Sequence, residues 1–91
     1  MLSEPADESF EEPLPVTLEW NEFENADHYE LQLSKTEQFY DRRTIEKIDK
    51  TSITLSDLSD STQFYWRVRA TADEQKTVWS PVWSFTTEHD Q

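Results

Sequence analysis

The chain alternates apolar and polar residues in several short stretches, and a period of two is typical of a β-strand with one buried face. The clearest stretch covers residues 62–70, which are rich in the aromatic and branched side chains that favour strands. Its apolar face carries Phe64, Trp66, Val68 and Ala70, and its opposite face carries Tyr65, Arg67 and Arg69. We therefore expect a long strand that buries one face in a core and turns the other to water.

Other stretches predict five further strands, some of them by the same alternation. Residues 16–20 and 29–33 place these residues inward: Val16, Leu18, Trp20, Tyr29, Leu31 and Leu33. A charge-rich stretch at 44–48 is typical of an edge strand, because Glu46 and Lys47 repel other edges. Residues 52–58 predict a strand with Ile53 and Leu55 inward. Residues 81–87 predict the last strand, with Trp83 and Phe85 on one face and Pro81 suited to a sheet edge.

Several of these segments resemble a known family, in the right order along the chain. The end of the chain resembles a bacterial-type fibronectin type III domain at Leu58-x-x-x-Thr62-x-Phe64-Tyr65-Trp66-Arg67-Val68-Arg69-Ala70, Trp79-Ser80 and Phe85-Thr86-Thr87. The stretches Val16 to Trp20 and Asn25 to Ser34 resemble the second and third strands of that family. The resemblance implies an all-β, antiparallel, immunoglobulin-like fibronectin type III β-sandwich of about seven strands.

The resemblance also divides the chain and places individual residues. Residues 1–13 are an acidic leading segment, which either holds a first strand, with Leu2 and Phe10 tucked under the sandwich edge, or frays. Residues 14–87 form the domain, and residues 88–91 form a flexible tail or linker. Phe39 is expected to fold back onto the core, and Glu30 to form an exposed cross-strand pair with one of the strand arginines.

Phe64 is a departure from the family. The family usually has a tyrosine at this position, whose hydroxyl bonds the backbone near the preceding corner. Phe64 keeps the ring but loses that hydrogen bond, which is ordinarily worth about 0.5–1.5 kcal/mol.

The amino-acid composition limits the kinds of molecule that the domain can bind. The 91 residues suit one domain, and 20 acids against eight bases give a net charge of -12. Residues 1–34 hold ten of these acids and no lysine or arginine. Nucleic acid and anionic membrane surfaces are therefore disfavoured partners, since both need positive patches. No apolar run approaches the ~20 residues of a membrane span, and repulsion between acidic copies favours a monomer.

The chain contains no glycine, so other residues must take the left-handed backbone conformation in its turns. Asparagine, aspartate and serine tolerate that conformation best among the remaining residues. The candidates are Asn21, Asn25, Asp49, Asp60, Ser61 and Asp73.

No pattern indicates catalysis or a cofactor. Cysteine is absent, and His28 and His89 lie too far apart in sequence to suggest a zinc site. A phosphate-binding loop requires glycine. Two acidic loops, one with Glu22, Glu24 and Asp27 and one with Asp57 and Asp60, lack the ligand spacing of a calcium site. We expect no enzyme activity, no cofactor and no specific metal site.

The segment Trp79-Ser80-Pro81-Val82-Trp83-Ser84 resembles the Trp-Ser-x-Trp-Ser box of cytokine receptors, with one extra residue. In those domains arginines of the neighbouring strand stack between the tryptophans, so Arg67 and Arg69 are expected to stack on Trp79. The extra residue turns Trp83 to the other face, which argues against a full ladder and places Trp83 in the core.

These patterns favour a non-catalytic role. We expect a spacer or protein-interaction module between neighbouring domains of a larger secreted, periplasmic or cell-surface protein, of bacterial kind. The alternative is a module that binds carbohydrate or protein through exposed aromatic residues and loops. The candidate ligand contacts for that alternative are Phe23, Tyr40, Tyr65, Arg67, Arg69, Asp73 and Trp79.

Overall fold

The computed structural model describes residues 2–23, 26–72, 75–77 and 79–89, and every regular element in them is a β-strand. The strands are β1 (Leu2–Glu4), β2 (Ser9–Glu12), β3 (Val16–Trp20), β4 (His28–Ser34), β5 (Arg43–Ile48), β6 (Ser52–Leu55), β7 (Gln63–Ala72), β8 (Gln75–Lys76) and β9 (Trp83–Thr87). This part of the chain therefore holds no helix that a membrane span would need.

The strands form the two sheets of a sandwich. One sheet has three strands in the order β1-β3-β6, and the other has six, in the order β2-β9-β7-β4-β5 with β8 beside β7. The predicted organising strand, β7, pairs along seven positions with β4 on one side and with β9 on the other. The immunoglobulin-like sandwich is confirmed. It has more than about seven strands because the leading segment supplies two and the hairpin after β7 supplies a short one.

The leading segment crosses from one sheet to the other. β1 pairs antiparallel with β3, whereas β2 pairs parallel with β9, so this edge of the sandwich is not purely antiparallel. Of the two alternatives for this segment the structure shows the first strand, with Leu2 buried, but Phe10 is 74% exposed and does not tuck under the edge. The pairing with β9 also puts β9 between two strands, so Pro81 precedes an inner strand rather than an edge strand.

The core follows the predicted inward faces. All four inward residues of β7 are buried, and Trp66 and Val68 are fully enclosed. Trp66 packs against Trp20 with ring centroids 6.5 Å apart, and Phe64 stacks on Phe85 at 5.6 Å. Fully burying one such side chain stabilises a protein by roughly 1.5–3 kcal/mol, so this cluster supplies much of the free energy of folding.

Left-handed backbone conformations occur both in turns and at bulges. Positive φ is found at Glu8, Glu11, Phe39, Lys47 and Ser61. Of the six candidates only Ser61 is confirmed, while Asn25 and Asp73 lie outside the described residues. Glu11 and Lys47 sit where the β2–β9 and β5–β4 registers shift by one residue, and such bulges force the backbone out of the extended conformation.

The chain enters the sandwich at one end, the entry pole, and reaches its last strand's end at the opposite one, the exit pole. At the entry pole Leu2 pairs with Trp20, the last residue of β3. The exit pole lies at the other end of β3, next to Glu12, which precedes that strand. There the Glu88 N–H donates to the Glu12 carbonyl at 2.9 Å, and the Ser61 N–H donates to the Glu88 carbonyl at 3.0 Å. The chain therefore enters at one pole and reaches residue 88 at the other.

Candidate functional site

The outer face of the six-stranded sheet carries a stack of rings and guanidinium groups. The Arg67 Cζ lies 4.3 Å from the Phe39 ring centroid and 4.7 Å from the Trp79 centroid. The Arg69 Cζ lies 4.2 Å from the same Trp79 ring centroid. We call the series Phe39–Arg67–Trp79–Arg69 the ladder. Each cation–π contact in it contributes roughly 0.5–2 kcal/mol, depending on how far water is excluded.

The ladder confirms the stacking predicted for Trp79 and corrects the prediction for Phe39. Trp83 packs partly buried against the core, as expected, and takes no part in the stack. Its place as second ring is taken by Phe39, which is buried against Arg67 on the outer face instead of folding onto the core. The expectation that Trp83 would not complete a tryptophan ladder is confirmed, and the second ring comes from another segment of the chain.

The guanidinium group of each ladder arginine also forms hydrogen bonds with a side chain of the neighbouring strand β4. The Nε and Nη2 atoms of Arg67 donate to the Gln32 Oε1 at 3.0 and 2.6 Å. The same two atoms of Arg69 reach the Glu30 Oε1 at 2.6 and 2.5 Å, and the Lys76 Nζ donates to the Glu30 Oε2 at 3.3 Å. The expected Glu30–arginine pair is present with Arg69, its register partner. It is not exposed, since the Glu30 side chain is only 6% accessible.

The surroundings of Glu30 and of the ladder arginines keep these side chains ionised. Burial alone would raise the pKa of Glu30, but hydrogen bonds led by that of Arg69, with others to Glu46 and Lys76, outweigh it and lower the pKa. Burial, followed by the charges of Arg42 and Arg69, lowers the pKa of Arg67. An arginine stays protonated in proteins, so the ladder is a standing set of ion pairs and stacked cations.

Two hydroxyl groups fix Trp79 in place. The Thr77 and Ser80 N–H groups donate to the carbonyls of Ala70 and Val68 at 3.0 and 2.8 Å. In return, the N–H groups of Ala70 and Val68 donate to the Thr77 Oγ1 and the Ser80 Oγ, each at 3.0 Å. The hydroxyls thus act as the carbonyls of an adjacent strand would, and they hold the tryptophan between them over β7. The sequence signal for this was a hydroxyl residue on each side of Trp79.

A turn at the exit pole directs Phe39 onto the outer face. The Ser34 Oγ donates to the Asp41 Oδ1 at 2.6 Å and accepts the Thr36 N–H at 3.1 Å. The Phe39 N–H donates to the Thr36 carbonyl at 3.1 Å, and Phe39 itself has a φ of 58°. The Tyr40 N–H then donates to the Thr36 Oγ1, and the Tyr40 side chain is left 82% exposed.

The predicted ligand contacts do not form one surface. Arg67, Arg69 and Trp79 lie together in the ladder, with Tyr65 half-buried on the same face. Phe23 is half-buried at the entry pole, where its ring lies 5.7 Å from that of Tyr29. Tyr40 lies at the exit pole, beyond the other end of β4. At about 3.3 Å per residue, the length of β4 separates Phe23 and Tyr40 by more than 15 Å. Asp73 lies outside the described residues.

A cavity at the exit pole was missed by the sequence analysis. It has a volume of about 200 Å³ and lies by the end of β4, the starts of β5 and β7 and the connection that follows β6. Its apolar floor consists of Leu33, Leu58 and Phe64, and its charged rim of Lys35, Asp41, Arg43 and Asp57. We call it the exit-pole pocket. Four separate stretches of the chain line it, so no local pattern in the sequence signals it.

The corner beside this pocket shows how the domain manages without the family's tyrosine. The Thr87 Oγ1 donates to the Ser59 carbonyl at 2.7 Å and accepts the Thr62 N–H at 3.0 Å. Thr87 is 2% exposed, so its hydroxyl is shielded from water. A threonine of the last strand therefore ties down the corner that precedes Phe64.

The described residues contain no group of three or more histidine, aspartate or glutamate side chains placed to hold a metal ion. In the two acidic loops considered for calcium, Asp57 is paired with Arg43 at 3.0 Å, and Glu24 lies outside the described residues. The His89 Nδ1 lies 3.0 Å from the Ser61 Oγ, at the pole opposite to His28.

Comparison with known proteins identifies the fold. No protein-family model and no curated protein matches the sequence. The chain superposes on the crystal structure of an Fn3-like protein from Clostridium thermocellum with a TM-score of 0.73. The match covers 94% of this chain and 92% of that one at 19% sequence identity, a level at which likeness shows the fold alone. The chain therefore has a fibronectin type III-like fold.

Proposed function

We propose that this domain is a non-catalytic spacer and protein-interaction module within a larger bacterial protein that is secreted, periplasmic or displayed on the cell surface. The fibronectin type III-like fold supports a modular role, and the similar solved structure comes from a bacterium. One fold hosts many functions, so the argument rests on the geometry of this chain.

The observation that carries the proposal is the position of the two poles. The sandwich measures 46 × 23 × 20 Å, and β1 and the end of β9 lie at its opposite poles. A chain that enters at one pole and leaves at the other holds its neighbours apart by a set distance. The ties at Leu2 and Glu88 fix both ends to the body, which a spacer needs.

The chemistry of the outer face supports a structural role. Both ladder arginines donate to β4 and stack on rings, so their charges are used within the domain. Trp79→Ala is therefore expected to change stability, whereas in a binding module that uses this face it would abolish ligand binding.

Charge guides the choice of partner. A net charge of -12 opposes self-association and contact with nucleic acid or anionic lipid. We propose a monomer whose partners are the neighbouring domains of the same protein.

One observation favours the binding alternative. Tyr40 is 82% exposed at the exit pole, and Phe10 is 74% exposed on β2. Large exposed rings of this kind contact sugars and proteins, so a binding role at Tyr40 is the second candidate function.

Distance measurement between spin labels tests the spacer proposal. The chain has no cysteine, so Ser3→Cys together with His89→Cys places one label at each pole. We expect one narrow distance distribution, limited by the 46 Å long axis plus the label arms. A control pair at the entry pole, Ser3→Cys with Asn21→Cys, should give a clearly shorter distance. A broad or multimodal distribution between the poles would overturn the spacer proposal.

A further inference from the structure

We propose that the exit-pole pocket binds a single neutral sugar ring, either a free sugar or the terminal unit of a glycan. This inference goes beyond the spacer role, because a domain can hold its neighbours apart and also carry a ligand at one pole. The two tests are independent: the label distances do not depend on sugar, and sugar binding does not depend on the distance between poles.

The size of the pocket limits its ligand. A volume of about 200 Å³ falls below the roughly 300–1,000 Å³ of sites for drug-sized ligands, so it suits one ring and not an oligosaccharide. The floor is apolar and consists of the partly exposed Leu58 with the nearly buried Leu33 and Phe64. A pyranose has an apolar face made of its C–H groups, and burying that face on such a floor is favourable.

The rim supplies both kinds of hydrogen-bonding group that sugar hydroxyls require. Lys35 and Arg43 are donors, and the carboxylates of Asp41 and Asp57 are acceptors. The Arg43 Nη1 donates to both oxygens of Asp57, at 3.0 and 3.1 Å. Within the described part of the chain, the other guanidinium nitrogens of Arg43 have no such partner and can donate to a ligand.

The acceptors are held in place and ionised. The Oγ of Ser34, a residue only 3% exposed, donates to Asp41 at 2.6 Å and fixes its orientation. That bond lowers the pKa of Asp41, and the bond from Arg43 lowers the pKa of Asp57. Fixed carboxylates lose little freedom when a ligand binds, which favours affinity.

The balance of charge selects a neutral ligand. The two cations and two anions of the rim cancel, so the rim itself prefers neither an anion nor a cation. The net charge of -12 repels anionic ligands further. A neutral polyhydroxylated ring uses the donors and the acceptors together, which neither a simple anion nor a simple cation can do.

An NMR titration tests this inference. Labelled protein is titrated with the methyl glycosides of glucose, galactose, mannose and N-acetylglucosamine, and with the matching disaccharides. We expect saturable shifts with at least one glycoside, centred on the amides of Leu58 and Ser59. A disaccharide that binds as well as its methyl glycoside indicates a glycan end, and binding of the monosaccharide form alone indicates a free sugar.

A matched pair of variants locates the site. Asp57→Asn removes one rim carboxylate and is expected to weaken binding about tenfold, since it replaces a charged acceptor. Asp60→Asn removes the same charge from the same connection outside the pocket and should leave the affinity unchanged. No saturable shift with any glycoside, shifts centred elsewhere, or equal weakening by the two variants would overturn the inference.

Discussion

The Thr87 hydroxyl donates a 2.7 Å hydrogen bond to the Ser59 carbonyl, and through it the last strand holds the corner before β7. The same oxygen accepts the Thr62 N–H, so one buried side chain satisfies two backbone groups. In the family this corner is held by a tyrosine at the position of Phe64. The hydrogen bond that Phe64 cannot make is thus replaced by one from the opposite side of the corner.

Thr87→Val is therefore expected to destabilise the domain by about 1–3 kcal/mol. Valine keeps the shape but leaves the Ser59 carbonyl and the Thr62 N–H without this partly buried partner, and losing both hydrogen bonds is costly. Urea unfolding followed by tryptophan fluorescence measures the loss. Thr86→Val, the neighbour in β9, is the control and should stay within about 0.5 kcal/mol. Equal effects of the two variants would show that the Thr87 hydroxyl does not hold the corner.

Trp79 is the ring that both ladder arginines contact. Replacing it distinguishes the contribution of cation–π stacking from that of covering the arginines with any apolar side chain. Trp79→Leu keeps an apolar cover but loses both cation–π contacts, so we expect a loss of about 1–3 kcal/mol of unfolding free energy. Trp79→Phe keeps a ring and should lose clearly less. Urea unfolding midpoints of the two variants provide the comparison. If the leucine and phenylalanine variants had the same unfolding free energy, the contacts of Trp79 with Arg67 and Arg69 would stabilise the domain by apolar burial alone, without a stacking contribution.

The sequence predicted the strands best where one face is buried, because alternation then has a direct physical cause. The inward faces of β3, β4 and β7 all lie as the alternation indicated, and Glu30 meets Arg69 as the strand order implied. The outer face was misjudged in one respect. Glu30 and Gln32 are buried, since the ladder and its neighbouring loops cover a face that alternation alone assigns to water.

Features that depend on contacts between distant segments were not predictable in this way. Phe39 reaches the outer face because of a turn held by Ser34 and Asp41, and the pattern of apolar residues says nothing about that turn. The left-handed residues Glu11 and Lys47 arise from a mismatch between paired strands, whereas residue type points only to turns. The exit-pole pocket likewise depends on how four stretches of the chain meet.

The buried pair of Glu30 and Arg69 makes part of the stability dependent on pH. The pKa of Glu30 is lower in the folded domain than its ordinary value of 4.5. A depressed carboxyl pKa contributes stability that is fully present above the unfolded value and is lost as the pH falls through the folded value. The contribution of this pair should therefore be intact at pH 7 and decline below about pH 4.5.

Glu30→Gln isolates that contribution, since the other acids of the chain are common to both proteins. At pH 7 we expect the variant to be less stable by about 1–3 kcal/mol, because glutamine retains a hydrogen bond to Arg69 but not the charge. As the pH falls below 4.5 the wild-type protein should approach the variant, and urea unfolding at several pH values measures the difference. Glu22→Gln, at an exposed loop position, should show no such convergence. A difference for Glu30→Gln that stayed constant from pH 7 into the acid range would mean that the ionised carboxylate does not stabilise the fold.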